Sequence, residues 1–262
     1  MVTMGTISSI VTLISFVFGL KDPNVNVICI YILVVFTSCF LSAWAMSYQK
    51  TKLSINVSNN LQVKVASGDL FDMGKEHNFV VIPVNEYFDT IVDRKIVSAS
   101  SLHGQFIQRF YKYNHTELHS EIESFLRYRN IEGEEVERPN SNGYKTKYPL
   151  GTCVSIQRGT VTYVLLALTH FDEQDHAYVE LAEFGLCIAK LCNFLANNAE
   201  KRPVFMPLMG MGLSRLNQSA QFVLKYTLDT IVGIKDLAIP GGINIVIYPP
   251  VAKTLNLNEI RY

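Results

Sequence analysis

Short apolar runs alternate with longer amphipathic segments along most of the chain. The run LQVKVAS at 61–67 places an apolar residue at every second position, which is typical of a half-buried strand. The run NFVVIPVN at 78–85 is apolar between its two asparagines, which predicts a strand buried on both faces. Further strands are predicted at 151–158, 161–169, 203–208 and 243–248.

Four segments between these strands have helical spacing, at 101–113, 116–129, 176–197 and 217–233. In the third, apolar side chains recur every three or four residues from Tyr178 to Leu195 and form one stripe. Thr116 is predicted to cap the second helix, and the polar stretch 130–144 is predicted to be a loop. Strands that alternate with helices predict an α/β fold whose mixed or parallel sheet is covered on both faces.

Two uncharged runs precede this domain, at 2–20 and 25–48, and the turn KDPN separates them. A bilayer core about 30 Å thick needs about 20 helical residues, and both runs are long enough. We therefore expect a transmembrane helical hairpin over residues 1–50 and a separate domain over residues 51–262. Lys50 and Lys52 follow the second run, so the positive-inside rule places the N-terminus and this domain in the cytosol.

Two other interpretations of the first fifty residues stay open. The first run is rich in Ser, Thr and Gly, so it could lie at the membrane interface beside a single span. A buried core hairpin is the second alternative. A cleaved signal peptide is disfavoured because the run lacks a basic n-region.

Charge and cysteine content narrow the classes of function. The chain carries 23 basic and 23 acidic residues, so its net charge is zero, which argues against a nucleic-acid partner. Of these charges, only Lys21 and Asp22 lie within residues 1–48. The five cysteines show no spacing typical of a zinc site or a disulfide framework, so we expect buried, reduced thiols. We expect no metal and no cofactor.

The segment VFMPLMGMGLSRLNQSAQF at 204–222 is predicted to be a strand, a glycine loop and the start of a helix. Because Gly210 and Gly212 have no Cβ, backbone N–H groups can turn toward one concavity and an anion can approach them closely. The helix that follows adds its unpaired N-terminal N–H groups. This arrangement suits a pyrophosphate, although Gly-x-Gly after a strand also occurs in ordinary tight turns.

The order of four motifs within residues 60–250 resembles that of macro domains, a family with an α/β/α fold that binds ADP-ribose. The first motif is SGDLF, which contains Asp69 and Leu70, and the second is the buried strand that ends in Asn85. The strand, glycine loop and helix described above form the third motif. A last strand that ends in Tyr248 is the fourth. The resemblance therefore implies a macro-domain-like three-layer α/β/α fold with a mixed central sheet, preceded here by two transmembrane helices.

The resemblance also implies roles for these residues. Asp69 would receive the adenine amino group with Leu70 beside it, and Asn85 would lie by the distal ribose. Tyr248 would stack on adenine. The second glycine loop of the family wraps the pyrophosphate, and the matching residues here are Gly210, Met211, Gly212 and Leu213.

This chain departs from the hydrolytic members of the family. Those members carry a first loop of consecutive glycines and a second Asn three residues before the Asn that Asn85 matches. Here Ile82 takes that second position, and EYFDTIVDRKIVSASSLHGQF replaces the glycines. The departure puts hydrolysis in doubt and implies a remodelled distal-ribose pocket. Ser101, His103 and Gly104, at the start of a predicted helix, become predicted ligand contacts.

A predicted two-span hairpin followed by a macro domain resembles the membrane effectors of type II Thoeris, a bacterial anti-phage system. In that family a TIR-domain protein makes a nucleotide signal, understood to be histidine–ADP-ribose, and the macro domain binds it. The resemblance implies a non-enzymatic effector in the bacterial inner membrane that oligomerises when activated, disrupts the membrane and causes abortive infection. The alternatives are a membrane-tethered ADP-ribosyl hydrolase and a constitutive membrane adaptor that docks a protein partner.

Overall fold

The computed structural model describes residue 31 and the ranges 34–43, 51–93, 96–112, 114–138, 142–172, 174, 176–212 and 214–262. The chain divides into two compact units, Met1–Gln49 and Lys50–Tyr262. In the first unit, residues 34–43 are helical and most of their side chains are exposed. No helix within the described ranges is both long and apolar enough to cross a bilayer. The predicted span 2–20 lies outside those ranges, and so does 25–48 except for residues 31 and 34–43.

The second unit contains ten strands in the part that the structure describes. In chain order they are β1 (Lys52–Ser58), β2 (Leu61–Ser67), β3 (Phe79–Asn85), β4 (Glu134–Glu135), β5 (Thr146–Lys147), β6 (Cys153–Arg158), β7 (Val161–Phe171), β8 (Ala177–Tyr178), β9 (Val204–Pro207) and β10 (Ile239–Ile247). Every strand predicted from the sequence is present within a few residues of its predicted bounds.

The same described part contains six α-helices and one 3-10 turn, which lie between these strands or after the last of them. They are α1 (Leu70–Met73), α2 (Leu102–Tyr111), α3 (His115–Tyr128), α4 (Leu181–Asn198), α5 (Ala220–Gly233), α6 (Pro249–Ala252) and the 3-10 turn Leu257–Glu259. The four helices predicted from the sequence correspond to α2, α3, α4 and α5.

The central sheet has the order β1-β2-β10-β9-β3-β7-β6, with β8 paired to β7. Pairing is parallel from β2 through β10, β9 and β3 to β7, and antiparallel at the β1, β6 and β8 margins. The predicted mixed sheet is therefore confirmed. Because the five central strands are parallel, their carboxyl ends all meet at one edge, which is where such sheets bind ligands.

Helices cover both faces of the sheet, and each face has its own apolar core. Phe184 and Leu228, from α4 and α5, pack on one face. Phe106 and Ile122, from α2 and α3, pack on the other. Successive residues of β3 alternate between these two clusters, which explains why its sequence is apolar without interruption. The three-layer α/β/α arrangement predicted from the sequence is confirmed.

Several boundaries differ from the sequence-based prediction for local reasons. Asn114, and not Thr116, caps α3: the Asn114 Oδ1 accepts a hydrogen bond from the Glu117 N–H, and the Thr116 hydroxyl donates to the same oxygen. The helix predicted from residue 176 begins at Leu181 because a capping box between Glu180 and Glu183 fixes its start, and β8 takes residues 177–178. The predicted loop 130–144 contains β4, which pairs with β5.

The three buried cysteines of this unit are free thiols: Cys153, Cys187 and Cys192. Burial raises the pKa of the Cys187 and Cys192 thiols to about 12 and raises the pKa of the Cys153 thiol as well. These thiols are protonated at neutral pH and act as small apolar side chains. The prediction of buried, reduced cysteines is confirmed for these three.

Candidate functional site

The carboxyl edge of the parallel strands brings together residues that the sequence separates widely. Because β2, β10, β9 and β3 are neighbours in that order, Asp69, Tyr248, the loop at Gly210 and Asn85 follow one another along the edge. Backbone hydrogen bonds of 3.0 Å join the strand ends there, from Gly68 N to Ile247 O and from Leu208 N to Val246 O. The predicted adenine, pyrophosphate and ribose residues therefore line one edge of the sheet.

Asp69 serves as the N-cap of α1. Its Oδ1 accepts hydrogen bonds from the N–H groups of Phe71, at 2.8 Å, and Asp72, at 3.2 Å. Its Oδ2 accepts none from a described residue, so one carboxylate oxygen stays available to a ligand donor. Leu70, predicted beside it, is only 4% exposed and packs into the core, so its side chain serves the fold.

The glycine loop follows β9 and leads to Ser219, which caps α5. Gly210 has φ +85°, and a Cβ there would lie 2.9 Å from Leu216 Cδ2, so the backbone requires glycine. A Cβ at Gly212 would meet no atom of a described residue within 4 Å. Gly212 thus faces open space. Leu213, the fourth loop residue predicted to bind, lies outside the described residues.

A cavity of about 480 Å³ opens between the glycine loop and the α5 N-terminus. Two predicted ligand residues, Met211 and Tyr248, line it together with Gln218, Ser219 and Gln221. Tyr248 is 68% exposed, so its ring has a free face on which a base could stack. Asp69 and Asn85 do not line this cavity, and they flank it along the sheet edge.

Asn85 is buried at the end of β3, with 5% of its surface exposed. Its Oδ1 accepts hydrogen bonds from the N–H groups of Tyr87, at 3.0 Å, and Asp89, at 3.3 Å. Its Nδ2 donates to no described residue. This donor is therefore available to a ligand oxygen, which makes the amide a candidate for a ligand contact.

The predicted contacts at the start of α2 have structural roles that the sequence did not reveal. The Ser101 Oγ accepts from the Gly104 N–H at 3.0 Å and so caps the helix. A Cβ on Gly104 would lie 2.1 Å from Ser98 O, so a side chain cannot fit there. His103 is 5% exposed, and its Nε2 has no hydrogen-bond partner among the described residues. Burial lowers the pKa of His103 to about 3, so the ring is neutral.

Ser214 is a polar residue of the glycine loop that the sequence analysis did not select. It is 8% exposed, and its Oγ has no hydrogen-bond partner among the described residues. Its carbonyl accepts from the Val179 N–H at 3.1 Å, which ties the loop to the segment before α4. A serine two residues after the Gly-x-Gly motif was the signal that could have identified it.

Two carboxylates follow Asn85 in the chain and organise the neighbouring charges. Glu86 is 1% exposed; its Oε2 lies 2.5 Å from His170 Nδ1 and 3.4 Å from Lys147 Nζ. The other ring nitrogen of His170, Nε2, lies 2.9 Å from Glu183 Oε1. These hydrogen bonds, chiefly the one with Glu86, raise the pKa of His170. Asp89, the second carboxylate, is fully buried against Arg138.

The cluster around Glu86 borders a second cavity of about 300 Å³. Among the described residues, no group of three or more His, Cys, Asp or Glu side chains has the arrangement of a metal site. The arrangement of the sheet edge suits an elongated ligand that offers an amino group, an anionic centre and hydroxyl groups in that order. A nucleoside diphosphate with a second sugar has this chemistry.

Comparison with known families agrees with this geometry. The family described as Thoeris protein ThsA, Macro domain, matches residues 63–248, well over half of the chain. The chain belongs to the ThsA macro-domain family. The match includes all four ligand-binding motifs predicted from the sequence, from Asp69 to Tyr248.

Individual relatives of this ThsA-type macro domain differ widely in their sequence identity to it. Thoeris protein ThsA of Bacillus amyloliquefaciens (strain Y2) is 34% identical over 158 residues, which is 60% of this chain and 51% of that protein. The chain thus matches about half the length of this relative. The Oceanobacillus iheyensis macrodomain with MES bound is 12% identical, covering 80% of this chain and 95% of that one, at a TM-score of 0.46. The macrodomain of Mycobacterium tuberculosis DarG is 15% identical, covering 71% and 97%, at a TM-score of 0.44.

Proposed function

We propose that this ThsA-type macro domain binds an ADP-ribose derivative along the carboxyl edge of its sheet. The observation that carries the proposal is the open face of the glycine loop at Gly212. It lies between the Asp69 carboxylate and the Asn85 amide, and each of these keeps one atom without a partner among the described residues. Such a loop before a helix N-terminus provides backbone N–H groups to a diphosphate without a basic side chain.

Each residue has one task in this binding mode. Asp69 Oδ2 accepts from the adenine amino group, and Tyr248 stacks on the base. The N–H groups of the Gly210–Leu213 loop bind the pyrophosphate. Asn85 Nδ2 donates to a hydroxyl of the distal ribose. The exposed ring of Tyr248 supports the stacking, and the Asp69 and Asn85 atoms that have no partner in the described part of the chain support the other contacts.

Three further predicted contacts, Ser101, His103 and Gly104, are proposed to border the distal ribose and whatever group it carries. The unpartnered His103 Nε2 supports this role most directly, since a ligand donor or acceptor would satisfy it. Ser101 and Gly104 hold the helix start in place. The attached group is proposed to be histidine, so that the ligand is histidine–ADP-ribose made by a TIR-domain protein.

The domain is proposed to act as the sensor of a membrane-anchored anti-phage effector. The name of the Bacillus relative, Thoeris protein ThsA, supports the pathway. The uncharged runs 2–20 and 25–48, and the exposed Phe36 and Phe40 in residues 34–43, support an anchor in the bacterial inner membrane. Ligand binding would favour one arrangement of the chains, drive oligomerisation and disrupt the membrane, which causes abortive infection.

We further propose that the domain binds its ligand without hydrolysing it. Ile82, at the position where hydrolytic relatives carry a second Asn, is fully buried in the apolar core and offers no polar atom to a water. The segment after Asn85 is held by the buried Asp89–Arg138 pair and is not a run of glycines. Incubation of the chain with ADP-ribosylated substrate should release no ADP-ribose.

Titration of the full-length chain by calorimetry tests the proposal. We expect saturable binding of ADP-ribose, tighter binding of its histidine conjugate, and much weaker binding of adenosine. Membrane leakage from vesicles that contain the chain should appear only when the conjugate is added. No binding of either ADP-ribose compound would refute the proposed function, and leakage without nucleotide would favour a constitutive membrane protein.

A further inference from the structure

We call the segment 134–148 the strap, and its described residues pack over the turn that follows Asn85. Residues 139–141 of the strap lie outside the described part of the chain. The Tyr148 N–H donates to Glu86 O at 2.9 Å, and the Tyr144 N–H donates to Asp89 Oδ1 at 2.7 Å. The Tyr144 hydroxyl is 2.7 Å from the Thr90 hydroxyl. The strap is therefore bonded to three residues of the turn 86–90.

The centre of this contact is an ion pair between Arg138 and Asp89. Arg138 Nη1 lies 3.1 Å from Asp89 Oδ2 and 3.4 Å from Oδ1, and it also donates to Tyr144 O at 2.8 Å. The side chains are 7% and 0% exposed. The guanidinium carbon lies 4.0 Å from the centre of the Tyr87 ring. Both charges are therefore removed from water and held by several contacts.

The same turn controls the Asn85 amide. The Asp89 carboxylate pairs with the Arg138 guanidinium, and the Asp89 backbone N–H donates to Asn85 Oδ1 at 3.3 Å. Tyr87, beneath the guanidinium, donates its N–H to the same oxygen at 3.0 Å. An asparagine amide can flip by half a turn, and two N–H donors on one atom select the orientation with oxygen there. Nδ2 is then left as the donor that faces away from the turn.

We propose that Arg138 and Asp89 are positioning residues of the nucleotide site: they hold the turn 86–90 so that Asn85 keeps its Nδ2 ready to donate to a hydroxyl of the distal ribose. The inference rests on the proposed function and deepens it, because it makes the strap a determinant of ribose recognition. The adenine and diphosphate contacts are formed by other elements and do not depend on the strap.

The test compares two ligands and two arginines in the full-length chain. ADP-ribose carries the distal ribose and ADP lacks it, so a calorimetric titration of each, with ADP in competition if it binds weakly, isolates ribose recognition. The perturbing variants are Arg138→Gln and Asp89→Asn. The control is Arg158→Gln. Arg158 also pairs with a carboxylate, Glu121 at 2.6 Å, and its guanidinium carbon lies 4.3 Å from the centre of the Tyr111 ring. It lies at the amino edge of the parallel strands, away from the proposed ligand site.

Loss of Arg138 or Asp89 should weaken ADP-ribose binding at least tenfold and change ADP binding less than twofold. The Arg158→Gln control should leave both affinities unchanged. Arg138→Lys, which keeps the charge but not the forked geometry, should fall between the wild type and Arg138→Gln, and it serves as the test variant if Arg138→Gln does not fold. An equal loss for both ligands, or no loss, would overturn the proposal.

A second measurement reports on Asn85 without any ligand. The side-chain NH2 signals of Asn85, assigned by their absence in Asn85→Asp, should shift or broaden in Arg138→Lys and stay in place in Arg158→Gln. Unchanged signals would overturn the proposal. If the wild type binds neither ligand, the proposed function fails and the inference fails with it. If the wild type binds both and the variants keep the same ratio of affinities, only the inference about the strap fails.

Discussion

A substitution at Gly212 should separate ligand binding from folding. No described atom lies within 4 Å of a Cβ built at this position, and its φ lies outside the range that favours glycine. A Cβ here meets no described neighbour, and a side chain reduces the freedom of the unfolded chain, an effect of about 0.4–1 kcal/mol in favour of folding. We therefore expect Gly212→Ala, Gly212→Gln and Gly212→Glu to unfold at or slightly above the wild-type temperature.

The effect on binding should follow the size and the charge of the added group. A carboxylate about 4 Å from a phosphate charge costs about 4 kcal/mol at an effective dielectric constant of about 20, which corresponds to roughly a thousandfold in affinity. Gly212→Gln has nearly the same volume without the charge, so the difference between Gln and Glu measures the electrostatic part. We expect ADP-ribose affinity to fall in the order Gly, Ala, Gln, Glu, and the Glu variant to recover partly at high salt.

Gly210→Ala, in the same loop, should have the opposite effect on stability and destabilise the fold. Its φ of +85° and the 2.9 Å approach to Leu216 Cδ2 would strain any side chain, at a cost of about 1–2 kcal/mol or more. For a chain of this size, that cost lowers the melting temperature by about 2–8 °C. Differential scanning fluorimetry and calorimetry on the full-length chain measure both quantities. Wild-type affinity in a folded Gly212→Glu variant would refute the assignment of this loop to a diphosphate.

Three further predictions concern single side chains. Asp69→Asn keeps a capping oxygen but puts an amino group in place of the oxygen that would accept from adenine, so ADP-ribose affinity should fall about tenfold or more while stability changes little. Asp69→Ala should in addition lower the free energy of unfolding by about 1 kcal/mol because the cap is lost, and urea unfolding measures this. His103 stays neutral in the fold because its pKa is about 3, whereas the unfolded chain takes up a proton near pH 6.5. The free energy of unfolding should therefore fall by about 2 kcal/mol between pH 6.5 and 5, and His103→Gln should abolish that part of the loss. His170 has a raised pKa, so its contribution to stability is complete below about pH 6.5 and is lost as pH rises through the folded pKa. The difference in free energy of unfolding between the wild type and His170→Asn should therefore shrink with rising pH. A difference that grows would contradict the pairing with Glu86.

Much of the fold was predictable because its signals are local. The uninterrupted apolar run of β3 matches a strand that packs on both cores, and the stripe from Phe184 to Leu195 matches the buried face of α4. Edge elements were harder to predict. β1 was missed because most of its side chains are exposed or half-exposed and only Ile55 is buried. β8 and the hairpin of β4 and β5 have two residues per strand, too few to show any periodicity.

The residues of the candidate site were also predictable only in part. Asp69, Asn85 and the glycine loop could be selected because each follows a predicted strand, and parallel strands present their carboxyl ends at one edge. The close packing of Gly104 against Ser98 O could not be predicted, because it depends on the path of the chain before α2. The partner of Asp89 lies 49 residues away in a polar stretch that resembles an ordinary loop.

The sequence by itself determined which residues form the layers and which strand ends carry the binding motifs, because apolar periodicity and loop chemistry are properties of neighbouring residues. Only the tertiary structure decided which polar atoms are used up by the fold and which are left for a ligand. That distinction depends on hydrogen bonds between distant segments, such as the turn after Asn85 and the strap with Arg138. The Asn85 amide shows this, because its Oδ1 accepts from the N–H groups of Tyr87 and Asp89 while its Nδ2 donates to no described residue.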